Sequence, residues 1–147
     1  MTERFLEGRS AWVTGGVTGM GRAIALDLAR AGANVAVGSL MDRDGKRVTQ
    51  EQRAARLGPE EFEACRAELE GHGVGARAIA LDLCSQDSVD AFFEETTRAF
   101  GAVDILVNAA GTFMFNHLMV GHPDEYWFRT IDVNLHGPFR TIRTCLP

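Results

Sequence analysis

Short β-branched runs alternate along this chain with longer stretches whose apolar residues recur at helical spacing. Ala11-Trp-Val-Thr14 reads as a first strand. The spacing then predicts a helix over 21–31 that buries Met20, Ile24, Leu28 and Ala31 along one face, with Gly32 stopping it in a left-handed conformation. Asn34–Gly38, Ala76–Leu81 and Val103–Val107 read as the second, third and fourth strands. Pro59 suits the first position of a helix with Glu60 and Glu61 in its first turn and Phe62, Cys65 and Leu69 on its buried stripe. Ser85 is placed to cap another helix, in which Val89, Phe92, Phe93, Thr96 and Phe100 share a face before Gly101. A last helix starts at Pro123-Asp124-Glu125 and carries a stripe of Trp127, Ile131, Leu135, Phe139, Ile142 and Leu146. Strands separated by helices imply a parallel sheet with right-handed crossovers, and strands apolar throughout imply that both faces are covered. Residues 40–58, rich in Asp, Arg and Gln, read as a polar surface insertion, with Thr49 and Gln52 able to box a short extra helix.

Composition narrows the function classes. At 147 residues the chain has the length of one domain, and 46% hydrophobic with 24% charged residues suits a globular fold and not disorder. No apolar run is long enough to span a bilayer, and residues 1–10 have no apolar core of a secretory signal. A net charge of −5 without a basic cluster argues against nucleic acid or an anionic membrane as partner. Cys65, Cys84 and Cys145 are odd in number and widely spaced, which reads as free thiols in a reducing compartment, hence a cytoplasmic protein. No Cys/His spacing suits zinc, so no metal is expected. Tyr126 is the single tyrosine and Lys46 the single lysine, so any chemistry needing that pair must use those two.

Between the first strand and its helix lies Thr14-Gly15-Gly16-Val17-Thr18-Gly19-Met20-Gly21. In such a turn one glycine permits the bend, one lets the backbone approach a pyrophosphate, and one lets helix and strand pack closely. The helix N-terminus supplies N–H groups for the anion. No Gly-Lys-Ser/Thr follows, which removes the P-loop reading. The chain resembles the short-chain dehydrogenase/reductase family in this pattern and in three further features. These are Asn108-Ala109-Ala110-Gly111 after the fourth strand, Asp82 in Leu81-Asp82-Leu83 after the third, and Asn134 in Asp132-Val-Asn-Leu-His-Gly137 on the last helix.

The resemblance implies a Rossmann-type doubly wound α/β sheet, of which residues 1–147 are the N-terminal part, about four strands of a larger single domain. It implies an NAD(P)(H) site built from Thr14, Gly15, Thr18, Gly19, Met20, Gly21, Ser39, Asp82, Leu83, Asn108, Ala109, Ala110 and Gly111. Asp82 would contact the adenine; its alternative is to cap the next helix. Asn108 would brace the strand beside the cofactor, and Gly111 would let backbone lie close to a ribose. Asn134 is the one catalytic candidate, implied to serve a water-linked proton relay. Independently of the family, Pro138 lies four residues on and has no N–H for the Asn134 carbonyl, so the helix should depart from regular geometry there.

For the choice of dinucleotide, Ser39 stands where NAD-preferring relatives carry Asp, and Thr18 where NADP-preferring relatives often carry a basic residue. Arg43, Lys46 and Arg47 could meet a 2′-phosphate, although Asp42 and Asp44 among them equally suit a solvated charge run. NADP is slightly favoured. The family's Ser, Tyr and Lys, the last two four residues apart, are expected beyond the last helix: Tyr126 is followed at that distance by Thr130, and Lys46 lies near the adenosine end. The leading reading is an oxidoreductase that interconverts a secondary alcohol and a ketone, a homo-oligomer when complete, through the last helix. The alternative is a non-catalytic dinucleotide-binding or interaction module from a truncated gene, separated from the first by a stop codon after Pro147. A nucleotide-sugar or methyl-donor binder on a similar sheet is disfavoured by the Asn108 motif. Phe113, Phe115, His117 and Met119 could line a substrate wall or pack in the core. With strand four as an open apolar edge and the last helix unpartnered, residues 1–147 alone are expected to fold poorly.

Overall fold

The computed structural model describes residues 4–41, 57–112 and 118–146. Four parallel strands, β1 (Ser10–Thr14), β2 (Asn34–Ser39), β3 (Ala76–Ala80) and β4 (Ile105–Asn108), form one sheet in the order β3-β2-β1-β4. The register sets Thr14 opposite both Gly38 and Asn108, and Ser39 opposite Ala80. All four C-terminal strand ends therefore line one edge. The central strands are buried along almost their whole length, whereas β3 and β4, each with one neighbour among the described residues, are mostly half-exposed.

Helices cover both faces, as the apolar strands require. On one face α1 (Gly19–Arg30) and α2 (Pro59–Glu70) bury Ala25, Ala29, Phe62, Cys65 and Leu69 against Val13, Val35 and Val37. On the other, α3 (Gln86–Phe100) packs Val89 and Phe92 on Trp12, Ala36 and Leu81. The Trp12 indole N–H donates to Thr96 Oγ1 at 3.2 Å, so this large buried ring leaves no polar group unpaired. As expected, Ser85 caps α3 by accepting the Ser88 N–H, and Gly58 N–H donates to Glu61 Oε2 at the start of α2.

One expectation is corrected in part and one is met. Of the expected α1 stripe, Ala31 is buried and Leu28 packs half-buried against the core, but Met20 is 80% and Ile24 38% exposed, and the helix buries Gly21, Ala25 and Ala29 instead. Small residues let the helix axis approach the sheet, and a wide side chain on that face would hold it off. The last helix departs from regular geometry next to Pro138, as the missing N–H implies. It runs as α4 (Asp124–Ile131), a π turn (Asp132–His136) and α5 (Gly137–Cys145). Gly137 N–H reaches back five residues to the Asp132 carbonyl, one residue before Pro138, which has no N–H to give Asn134. Its apolar stripe faces outward: Trp127, Leu135, Phe139, Ile142 and Leu146 are exposed, whereas Gly137 and Thr141 are buried. Among the described residues no helix is long and apolar enough to cross a membrane. The polar insertion with Thr49 and Gln52, the charges at 42–47, and Phe113, Phe115 and His117 lie outside the described residues. Met119 is described and exposed, in a short 3₁₀ turn.

Candidate functional site

The chain lays down β1, β2 and β3 in one direction across the sheet and then returns to place β4 on the other side of β1. In open α/β sheets this reversal leaves a crevice outside the C-terminal strand ends, where ligands bind. The reversal here lies between the glycine turn after β1 and residues 109–112 after β4.

These two segments are stitched together. Thr14 accepts twice, at its carbonyl from Ala109 N–H and at Oγ1 from Ala110 N–H, both at 3.2 Å. Gly15 has φ +66°, and a Cβ there would lie 2.7 Å from Ala110 Cα, so neither the conformation nor the space admits a side chain. A Cβ on Gly21 would run into the Gly15 carbonyl, so the first turn of α1 rests directly on the bend. Thr18 stands at the N-cap in extended conformation without a side-chain hydrogen bond, and no acidic residue occupies the first turn. The N–H groups at this helix start thus keep their positive end for an external anion. Thr18, Gly19 and Met20 are all exposed beside it.

The other predicted residues take distinct places on the same edge. Ser39 is buried, and its Oγ accepts the Val17 N–H at 3.3 Å, which braces the glycine turn from β2. Asp82 Oδ1 accepts Cys84 N–H at 3.0 Å and its own N–H donates to Ser88 Oγ, so Asp82 shapes the turn while Ser85 does the capping. Leu83 is buried against Gly137. Asn108 Oδ1 accepts from Thr141 Oγ1 at 2.8 Å, tying β4 to α5. Asn134, on the π turn, holds Thr112 in both directions: Oδ1 accepts Thr112 N–H at 2.8 Å and Nδ2 donates to Thr112 O at 2.7 Å. The amide is therefore committed to the backbone just after Gly111.

Some participants were not singled out from sequence. Thr112 and Thr141 carry no signal of their own. Asp132, His136 and Arg140 do, since four-residue spacing puts an acid and two bases on one helical face. Asp132 Oδ1 accepts from Arg140 Nη1 at 2.9 Å and approaches His136 Nδ1 at 3.3 Å. Burial pushes the Asp132 carboxyl up, but hydrogen bonds from the Cys84 thiol and Arg140, the Arg140 charge and His136 outweigh it and hold it below its ordinary value. The Cys84 thiol is pushed up to about 11, first by burial and then by its bond to Asp132. It is therefore protonated at neutral pH. Among the described residues no group of three His, Cys, Asp or Glu could hold a metal ion.

Comparison with known proteins supplies the context. The chain is 35% identical over 139 residues to the 3-oxoacyl-(acyl-carrier-protein) reductase FabG of Staphylococcus aureus, covering 95% of this chain and 50% of that protein. In structure it matches a blue fluorescent protein from a metagenomic library in complex with NADPH, with TM-score 0.78 and 31% identity over 96% of this chain and 51% of the other. It also matches an NAD⁺-bound xylitol dehydrogenase, with TM-score 0.79 and 26% identity over 95% and 47%. The chain spans 28% to 50% of the length of the curated relatives it matches. Residues 54–147 match the family described as short chain dehydrogenase. With four parallel strands, a reversal at β1/β4 and a stitched glycine turn, the chain belongs to the short chain dehydrogenase family.

Proposed function

We propose that this chain forms the dinucleotide-binding part of an NAD(P)-dependent oxidoreductase that interconverts a secondary alcohol and a ketone by hydride transfer. The observation that carries the reading is the uncapped start of α1, set on the Gly15 bend at the β1/β4 reversal. Its cradle fits a pyrophosphate, because it offers donors and no competing carboxylate. Thr14, Gly15, Thr18, Gly19, Met20 and Gly21 would form that cradle. Asp82 and Leu83 would take the adenine, Ser39 would face the adenosine ribose, and Asn108, Ala109, Ala110 and Gly111 would lie along the second ribose. A bound nicotinamide accepts or supplies the hydride. Asn134 is assigned to a water-linked proton relay through its carbonyl, which Pro138 cannot serve with an N–H.

NADP is slightly favoured over NAD, because β2 ends at Ser39 without a carboxylate to repel a 2′-phosphate. The NADPH and NAD⁺ complexes of the similar structures support a nicotinamide dinucleotide of either kind. The acid/base tyrosine and its lysine are assigned outside residues 1–147, since Tyr126 is followed four residues on by Thr130. That same observation supports the second reading, a dinucleotide-binding module without turnover. The outward face of α4, the π turn and α5 is assigned to self-association, and the compartment to the cytoplasm.

Calorimetric titration of the full chain with NADPH and NADH tests this. Both should bind, NADPH more tightly. Tighter NADH binding would reverse the preference, and no binding of either would sink the function. Turnover of alcohol or ketone by residues 1–147 alone would place the proton-transfer group inside them, against the present assignment.

A further inference from the structure

Arg140 uses one nitrogen, Nη1, for two acceptors on different elements. It donates to Asp132 Oδ1 at 2.9 Å on the π turn and to the Leu83 carbonyl at 2.8 Å on the loop after β3. Asp132 opens the π turn and Asn134 stands two residues later, gripping Thr112 with both ends of its amide. A π turn trades regular i→i+4 bonds for longer ones, so it depends on ties from outside the helix to hold its register. The charge-assisted pair supplies such a tie.

We propose that Asp132 and Arg140 are positioning residues that clasp the π turn to the Leu83–Cys84 backbone and so hold Asn134 in its grip on Thr112. The loop after β3 and the loop after β4, on opposite sides of the sheet centre, are thereby fixed relative to each other. The bearing of this clasp on cofactor binding rests on the dinucleotide reading above, but the clasp itself does not.

Amide hydrogen exchange on the full chain, without dinucleotide, tests it at Thr112, with Val13 in β1 as the reference. Arg140→Met should speed Thr112 exchange about tenfold and leave Val13 unchanged. Asp132→Asn, which keeps the shape and removes the charge, should act in the same direction. Arg140→Lys, whose ammonium can still span both oxygens, should restore most of the protection. Unchanged Thr112 exchange in Arg140→Met and Asp132→Asn would overturn the proposal. So would an equal rise at Thr112 and Val13, which marks general loosening, or a failure of Arg140→Lys to rescue. A wild-type chain that binds no dinucleotide would sink the function proposed above and leave this result standing.

Discussion

Gly15 answers two constraints at one position: a left-handed backbone and a backbone neighbour where a Cβ would go. A side chain in that conformation costs on the order of 1–3 kcal/mol by itself. The contact adds to it, because Ala110 is held by Thr14 and cannot retreat. Gly15→Ala should therefore destabilise the fold by about 3 kcal/mol in urea denaturation. The loss should appear as a lower midpoint with an unchanged slope, since the native surface is hardly altered. A change within about 0.5 kcal/mol, the range of ordinary surface substitutions, would show that the 109–112 segment yields. The buried Thr141 works at the same scale in the opposite sense. Its hydroxyl satisfies Asn108 and adds no bulk, which is why a polar residue is retained at a fully buried position.

At the scale of elements, the sequence shows strands and helix starts best where local chemistry decides them. Pro59 with Glu60 and Glu61, Ser85 before α3, and the β-branched runs of β1 and β2 all act within a few residues, and they fall where expected. Two residues of the expected α1 stripe, Met20 and Ile24, face out: hydrophobicity ranks them above Gly21 and Ala25, whereas the sheet selects for closeness. The glycine turn, Asn108 and Asn134 stood out in the sequence as candidate site residues. Their partners Thr112 and Thr141 did not, since those bonds join residues 22 and 33 positions apart. The break at Pro138 was legible as a missing donor, but its form as a π turn was not. Pro138→Ala restores an N–H four residues after Asn134, so the π turn should revert to α-helical register in a crystal structure of the variant. A π turn that survives would place its cause in the Asp132–Arg140 pair.

At the scale of the whole molecule, one surface is strongly apolar. Trp127, Phe128, Leu135, Phe139, Ile142 and Leu146 are all exposed along α4, the π turn and α5. Contiguous apolar faces of this kind mark contact surfaces. Under the self-association proposed above, the patch would supply an apolar centre with polar groups at its edge. Arg143 lies over the Phe139 ring at 5.1 Å and donates to Gln86 on α3, which in turn reaches Asp90 on the same helix and Thr144 on α5. Assigned to self-association, the centre should carry most of the energy, since large side chains near the middle of an interface commonly contribute about 2 kcal/mol or more each. Leu135→Glu and Phe139→Glu both place a charge where water would be excluded, and neither disturbs the core, because both side chains are exposed in the monomer. Each substitution should weaken the dissociation constant of the full chain by at least about thirtyfold in sedimentation equilibrium, the equivalent of that energy. Near-unchanged core amide exchange would show that the monomer fold is intact. A wild-type chain that stays monomeric at all accessible concentrations, or one whose association ignores both glutamates, would remove this face from the assembly.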